Sequence, residues 1–182
     1  MAITIGVAAA LAPNALRLSA ALRVRTAAAE VASTLRAARA LALRTGAHAA
    51  VKFRIDDDGV VTFAVYRDGD SDGVLNADIE AGVDPPEGPA RRIRHLGDGV
   101  RFGFPPGPPP TDPANPRRLL DRLEDPIRFN RSDLASFNPL GGSTPGSLYL
   151  TDGRYHLTVV RLYGITGEVK SMNYDRLRRE WN

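Results

Sequence analysis

The feature that most constrains the fold is an alanine- and leucine-rich stretch from Met1 to about Arg44. After Pro13, apolar residues recur at spacings of three, four and seven, the period of a helix with one buried face. The many alanines favour a helix and keep it thin, so that a sheet or another helix can approach closely. Gly46 marks the predicted end. After Pro13 the helix is about 30 residues, or about 45 Å, long, which is long for a chain of 182 residues.

The buried face predicted for this helix is our candidate assembly surface. A stripe of small and aliphatic residues on a long helix favours packing against equivalent helices of other subunits. The alternative is that the same stripe belongs to an ordinary core within one domain. The arginines of the helix fall largely off the stripe. The residues assigned to assembly are Val24, Ala28, Val31, Leu35 and Ala38.

An apolar run from Ala2 to Ala12 comes before this helix and ends at Pro13. A membrane-spanning helix needs about 20 apolar residues, so the run is too short to span a bilayer. It also lacks the basic start of a secretory signal peptide. We interpret it as the second half of a membrane segment whose first half is missing. A kink is expected at Pro13, because proline removes one backbone hydrogen-bond donor.

The chain after Gly46 has the pattern of short strands joined by turns. Runs rich in Val, Ile, Phe and Tyr alternate with glycine- and aspartate-rich turns, which predicts antiparallel hairpins. The predicted fold class is therefore α+β, with a long N-terminal helix packed on an antiparallel β-sheet or sandwich. We expect residues 1–46 to form the helical part and residues 47–182 the β domain. Finer expectations are an extended or mobile proline-rich loop at 105–116, a strand with one solvent-exposed face at 155–163, a short helix at 117–124 and a helical turn after residue 173.

An aspartate-rich turn follows the second predicted strand. Alternate aspartates before Gly73 have the spacing at which carboxylates of one loop turn inward onto a calcium ion. The twelfth position of an EF-hand loop requires Glu but is Ile79 here, so we expect a looser site completed by a neighbouring acid. The alternative is a solvated Asp/Gly turn. The candidate calcium ligands are Asp68, Asp70, Asp72 and Asp78, and no other cofactor is expected.

The C-terminal stretch is basic. Lysine and arginine side chains bind phosphates, and Tyr174 and Trp181 offer rings on which nucleic-acid bases stack. The alternative is a solvated amphipathic tail that packs Trp181 on the β domain. The candidate nucleic-acid-binding residues are Lys170, Arg176, Arg178 and Arg179.

Several common enzyme classes lack support in the sequence. No cysteine is present, which excludes disulfide scaffolds, thiol catalysis and cysteine-ligated metals. The sequence also contains no His-Glu-x-x-His, phosphate-loop or dinucleotide-binding pattern. We therefore expect a protein without enzymatic activity.

Together these stretches resemble the type IV pilin-like minor pseudopilins of the GspH/FimT type, from type II secretion and type IV pilus systems. Residues 5–14 are similar to the second half of the pilin N-terminal segment, including its proline. Residues 28–46 are similar to the family's helix, with small residues, the pattern L-R-x-A-R and an R-x-G exit into the first strand. The stretches that resemble the family's closing strands are 137–141, 146–150 and 164–170.

The resemblance implies a subunit that assembles through its N-terminal helix into a pseudopilus for protein secretion, or into a type IV pilus. It implies other pilin-like subunits as partners, attachment to the inner membrane through the complete N-terminal segment, and a β domain on the periplasmic side. A DNA-binding minor pilin at a pilus tip is one alternative, because some FimT-like members are implicated in DNA uptake through a basic C-terminal region. Glu168 stands where such a member would have a basic residue. A calcium-stabilised binding module is another alternative.

The resemblance also implies features that are missing before Ile5. These are a prepilin peptidase site, a following Phe or Met, and a glutamate a few residues into the apolar segment. We expect that a segment carrying them precedes Met1; the alternative is a relative that is not processed.

Overall fold

The computed structural model describes residues 2–56, 58, 60–93, 99–130 and 132–182, with the side chains of the N-terminal helix described from Arg17 onward. A long helix precedes the strands, and a short helix lies in the loop after the second strand. The elements are α1 (Ala2–Thr45), β1 (Ala49–Ile55), β2 (Val61–Arg67), α2 (Asn76–Ala81), β3 (Arg91–Arg92), β4 (Arg101–Phe102), β5 (Thr111–Asp112), β6 (Asn115–Leu119), β7 (Ile127–Arg128), β8 (Leu134–Phe137), β9 (Gly146–Thr151), β10 (Leu157–Leu162), β11 (Val169–Asp175) and β12 (Glu180–Trp181).

Helix α1 and the strands share one hydrophobic core. Among the described side chains, the buried face of the helix begins at Val24 and continues to Ala42. Its alanines leave room for aromatic side chains from the strands. The Phe53 ring centroid lies 5.8 Å from that of Phe63 and 5.9 Å from that of Phe129. The C-terminal half of the helix is therefore part of the same packed unit as the β domain.

One antiparallel sheet has the strand order β3-β2-β1-β8. Strands β1 and β2 form the two central strands of this sheet and pair antiparallel, which confirms the hairpin predicted there. Phe53 of β1 faces the core with α1, whereas Ala50 packs in a separate cluster with Val74, Ile79 and Leu134. The aspartate-rich loop and α2 therefore cover the face of this sheet that points away from α1. Ile79 of α2 is buried against this face of the sheet, which explains why an apolar residue occupies that position.

The second antiparallel sheet has the order β12-β11-β10-β9-β4, with β7 paired to β9. Its central strand β10 is buried on both faces. Val160 and Leu162 belong to the core with α1, whereas Leu157 and Val159 pack with Tyr149 in another cluster. The prediction of one solvent-exposed face at 155–163 is therefore wrong. Residues distant in sequence cover that face, which local alternation along a strand does not reveal.

The cover comes from Phe104, Leu120 and Leu123, which lie before and after an antiparallel ribbon of β5 and β6. Residues 117–119 lie in β6, and residues 120–124 form no helix. The prediction of a short helix at 117–124 is therefore wrong. Leu120 and Leu123 pack on the sheet from an irregular segment, so their spacing resembles a helical stripe without being one. Part of the proline-rich segment 105–116 is paired in this ribbon, which agrees with the extended conformation expected there.

The C-terminal segment is a hairpin of β11 and β12 in which Tyr174 pairs with Trp181. The helical turn predicted after residue 173 is therefore wrong. Asp175 Oδ1 accepts hydrogen bonds from the backbone N–H groups of Leu177 at 2.9 Å and Arg178 at 3.0 Å, which closes the turn. Trp181 Nε1 donates to the backbone oxygen of Thr111 at 2.8 Å and ties the hairpin to the ribbon.

The predicted α+β class is confirmed, since an N-terminal helix is followed by antiparallel sheets. The proposed membrane remnant at Ala2–Ala12 and the effect of Pro13 concern side chains outside the described residues, and α1 is assigned as a continuous helix through this region. In the part of the chain that the structure describes, no helix has the length and apolar character required to cross a membrane.

Candidate functional sites

All five residues assigned to the assembly stripe are buried inside this domain. Val24, Val31, Leu35 and Ala38 have no exposed surface, and Ala28 has 1%. The stripe packs on the sheets of its own chain and so cannot also pack on a helix of another subunit. This corrects the prediction that the stripe is the assembly surface. Helical periodicity indicates that a face is buried but does not identify what buries it.

The accessible side of α1 lies opposite this stripe. Leu18 is 63% exposed and Leu22 is 52% exposed, although both are aliphatic. Farther along the helix, the same side presents exposed small residues. Their spacings of three, four and seven place them on one face. We call this set the outer face of α1; it consists of Leu18, Leu22, Ala29, Ser33, Ala37 and Ala40.

Two arginines fix the C-terminal half of α1 to neighbouring loops. Arg36 Nη2 donates to the Val169 backbone oxygen at 2.9 Å, and Arg39 Nε donates to the Gly141 oxygen at 3.2 Å. Gly167 has a φ of +62°, and a Cβ there would lie 2.2 Å from the Gly141 oxygen. A side chain at position 167 would therefore clash with backbone. The loops within 137–141 and 164–170 thus meet each other against the helix.

The aspartate-rich loop is organised by two buried carboxylates. Asp68 is 5% exposed, and it accepts backbone hydrogen bonds from Ser71 at 2.6 Å and Gly73 at 3.1 Å. Asp84 is 1% exposed, and it accepts from Gly69 at 2.9 Å and Leu75 at 3.0 Å. These bonds offset the desolvation of the two charges. Asp68 and Asp84 therefore hold the loop over the sheet whether or not a metal ion binds.

The four predicted calcium ligands divide into overlapping groups. Asp68, Asp70 and Asp84 have carboxylate oxygens within 4.8 Å of one another, and so do Asp70, Asp72 and Asp78. Asp70 is common to both groups. Loss of hydration, together with repulsion from Asp70, raises the pKa of Asp72 and of Asp78. A bound cation would relieve this repulsion.

Asp84 is the member of this cluster that the sequence prediction missed. It lies outside the spacing that identified the other aspartates, and only the fold of the 68–84 loop brings it to Gly69. Asp78 was correctly placed beside Asp70 and Asp72, although no EF-hand register applies.

The run Gly69-Asp70-Ser71-Asp72-Gly73 matches the letters of a Gly-x-Ser-x-Gly nucleophile pattern, and Ser71 has a φ of 76°. That pattern requires a sharp strand-to-helix turn, a base beside the serine and oxyanion donors. Here α2 begins only at Asn76. The described residues show no hydrogen bond from Ser71 Oγ to a histidine, and the neighbouring carboxylates would oppose a developing oxyanion. The geometry therefore favours a structural turn.

The four C-terminal basic residues are not brought together. Lys170 lies near the start of β11, opposite Arg161 of β10 in the strand ladder. Arg176, Arg178 and Arg179 lie in the turn after β11. Arg176 lies six positions after Lys170 along an extended chain, a distance of about 20 Å. The rings expected to stack on bases instead contact each other, with 4.9 Å between the centroids of Tyr174 and Trp181. Trp181 thus packs on the β domain, as the alternative interpretation expected.

The structure places the arginine turn beside other basic residues that the sequence did not connect with it. Arg176 donates from Nη1 to the Arg154 backbone oxygen at 3.2 Å. Arg154, in turn, lines a cleft with Arg23 of α1 and with Asp152. These positions are far apart in sequence, and no local signal relates them.

Comparison of the chain with protein-family models, with curated proteins and with solved structures finds no significant match.

Proposed function

We propose that this chain is a non-enzymatic, pilin-like assembly subunit. In this proposal it is a minor pseudopilin of a type II secretion pseudopilus, or a minor pilin of a type IV pilus. The observation that carries the proposal is the length of α1 relative to the core that it serves. The helix has 44 residues, but the buried face among its described side chains begins only at Val24.

The part of α1 before Val24 amounts to about 33 Å at 1.5 Å per residue. Its sequence includes the apolar run Ala2–Ala12, and the first described side chains, Arg17 to Ser19, are exposed. Exposed aliphatic side chains in this part of the helix, such as Leu18 and Leu22, favour another surface that buries them. Equivalent helices of other subunits and the inner membrane supply that surface in the proposed role, with the β domain on the periplasmic side.

The outer face of α1 supports the same role. Small residues such as Ala29, Ser33 and Ala37 allow the backbones of two helices to approach closely. Leu18 and Leu22 add apolar area at the end of the face nearest the apolar run. Exposed arginines beside the face, including Arg25 and Arg44, are suited to acidic partners. Assembly thus uses the outer face, while the buried stripe holds the helix to its own domain.

A calcium-stabilised loop is a second candidate feature, and it is compatible with assembly. The repulsion among Asp70, Asp72 and Asp78 favours a cation there, and the loop covers one sheet of the domain. In this proposal calcium tightens the cover and so stabilises the domain that the helix carries.

Site-specific cross-linking tests the assembly role, because the chain has no cysteine. Single cysteines are placed at Leu22 or Ala29 in the full chain. The variants are produced together with the pilin-like subunits encoded in the same genome, each carrying one cysteine along its N-terminal helix. We expect disulfide-linked pairs from both positions after mild oxidation.

Ser171→Cys is the matched control, since this residue is exposed on β11 and lies away from the outer face. Failure of Leu22→Cys and Ala29→Cys to exceed Ser171→Cys in cross-linked product would refute assembly through the outer face. Leu22→Arg should reduce pair formation while the circular dichroism spectrum of the domain stays unchanged.

A further inference from the structure

The end of the domain from which α1 extends toward Ala2 has an unusual concentration of arginines. Arg17 of α1 lies with its guanidinium carbon 5.3 Å from the ring centroid of Tyr155. Six residues further along, Arg23 lines a cleft with Arg154 and Asp152. The turn between β9 and β10, residues 152–156, therefore lies against the helix where it leaves the core.

Two other segments bring arginines to the same turn. A Cβ added to Gly153 would lie 3.2 Å from Arg101 Nη2, so the Arg101 guanidinium packs on this turn. Arg176 Nη1 donates to the Arg154 backbone oxygen at 3.2 Å and places the turn between β11 and β12 alongside. All seven side chains belong to exposed residues. We define them as the arginine collar: Arg17, Arg23, Arg101, Arg154, Arg176, Arg178 and Arg179.

Few acids oppose the collar in the described structure. Asp152 accepts three backbone hydrogen bonds, from residues 154, 155 and 156, and Asp175 accepts two, from 177 and 178. Both carboxylates are therefore bonded mainly within their own turns, although Asp175 Oδ2 also lies 4.0 Å from Arg178 Nε. Glu180 lies in β12 opposite Asp175, and Asp58 shares a cleft with Arg101. Seven arginines face these four acids, which leaves the surface positive.

Exposed apolar residues accompany the charge. Leu177 is 97% exposed at the tip of the turn between Arg176 and Arg178, and Tyr155 is 54% exposed in the neighbouring turn. A bulky aliphatic side chain held in water between two arginines has no role in the core. Apolar tips flanked by basic residues are typical of surfaces that lie in the interface of a bilayer.

We propose that the arginine collar and Leu177 bind the headgroup surface of an anionic phospholipid bilayer. The direction of α1 favours a membrane over a nucleic acid as the partner. Arg17 is five residues from Ala12, the end of the apolar run, and this corresponds to about 8 Å along the helix. The headgroup region on one side of a bilayer is about 5–8 Å thick. With the apolar run in hydrocarbon, Arg17 lies at headgroup depth and the collar faces the lipid phosphates.

This inference rests on the membrane attachment of α1 in the proposed function and adds that the arginine collar contacts the lipid headgroups. It concerns the membrane surface and not contacts between subunits, and it is tested on the purified full chain alone. A failure of lipid binding in this test is therefore distinguishable from a failure of subunit cross-linking.

The test is flotation with vesicles of 30% phosphatidylglycerol in phosphatidylethanolamine, compared with pure phosphatidylcholine vesicles. Arg178→Ala/Arg179→Ala removes two charges from exposed residues, of which Arg178 has only a 4.0 Å ion pair with Asp175, and we expect about thirtyfold weaker binding to the anionic vesicles, at roughly fivefold per arginine. The matched control is Arg44→Ala/Lys170→Ala, which removes two exposed charges from the opposite end of the domain. The control should stay within about threefold of the wild type.

Leu177→Ser supplies an independent readout, with Ile165→Ser as its control because Ile165 is 96% exposed at the opposite end. We expect only Leu177→Ser to weaken vesicle binding, and we expect the anionic preference to shrink at 0.5 M salt. Equal binding to both vesicle types, or equal losses in the collar and control variants, would overturn the proposal. Salt-dependent binding of duplex DNA to the collar would also overturn the proposal if the Arg178→Ala/Arg179→Ala variant bound vesicles as tightly as the wild type.

Discussion

Replacing Leu35 by alanine distinguishes a helix that belongs to the core of its own domain from one that packs only on other subunits. Leu35 has no exposed surface and lies in the core shared by α1 and the sheets. Truncating a fully buried leucine to alanine destabilises a protein by about 2–5 kcal/mol, through lost burial and the cavity left behind. We expect about 3 kcal/mol here. With a urea m-value of about 2 kcal/mol/M, the unfolding midpoint falls by about 1.5 M.

Leu22→Ala is the control, because it removes the same atoms from the same helix at a position that is 52% exposed. Its stability should stay within about 0.5 kcal/mol of the wild type. Urea unfolding is followed by far-ultraviolet circular dichroism for α1 and by the fluorescence of Trp181, the single tryptophan. Coincident transitions from both probes justify a two-state free energy. Equal midpoints for Leu35→Ala and Leu22→Ala would refute the shared core.

We expect 10 mM calcium to raise the melting temperature by about 3–6 °C, which corresponds to about 1.4 kcal/mol for a site with a dissociation constant near 1 mM. Asp70→Asn should abolish the rise and Glu124→Gln should keep it, whereas no rise in the wild type contradicts a calcium site. Burial raises the pKa of Asp152, but three backbone N–H bonds outweigh it and lower that pKa overall. The stability that Asp152 contributes is therefore complete above its unfolded pKa near 4 and is lost as the pH falls through the lower folded pKa. The difference in urea midpoint between the wild type and Asp152→Asn should narrow from about pH 4 downward, and a constant difference would contradict this. Gly146→Ala should destabilise the chain by about 2–3 kcal/mol in the same assay, because the added Cβ would lie 2.1 Å from the Phe129 ring and 2.5 Å from the Arg128 backbone oxygen; an unchanged urea midpoint would contradict this packing.

Local patterns predicted the parts of this fold whose stabilising contacts lie close together in sequence. The helix, its end at Gly46 and the first hairpin follow from periodicity and turn residues over short windows. The prediction of a helix at 117–124 was wrong because Leu120 and Leu123 have helical spacing but pack on Tyr149 from a distant strand. The spacing of apolar residues indicates that they are buried, but it does not determine whether a helix or an irregular segment buries them.

The candidate sites show the same division. Asp70, Asp72 and Asp78 were grouped correctly because one loop carries them, whereas Asp84 joins the cluster only through loop closure. Lys170 was grouped with the C-terminal arginines on sequence proximity, yet an extended strand carries it about 20 Å away. An extended chain separates neighbours in sequence, and a tight loop brings distant residues together.

The sequence by itself determined that a long alanine-rich helix with one buried stripe precedes an antiparallel β domain, because helix and strand periods are properties of neighbouring residues. Only the tertiary structure decided what covers that stripe. The sheets of the same chain bury Val24 to Ala38, so the surface left for partners is the opposite face. The structure alone also gathered the arginines of α1, β4 and two distant turns at one end of the domain. Long-range contacts set both outcomes, and no local pattern encodes which distant surface a buried face or a charged side chain will meet.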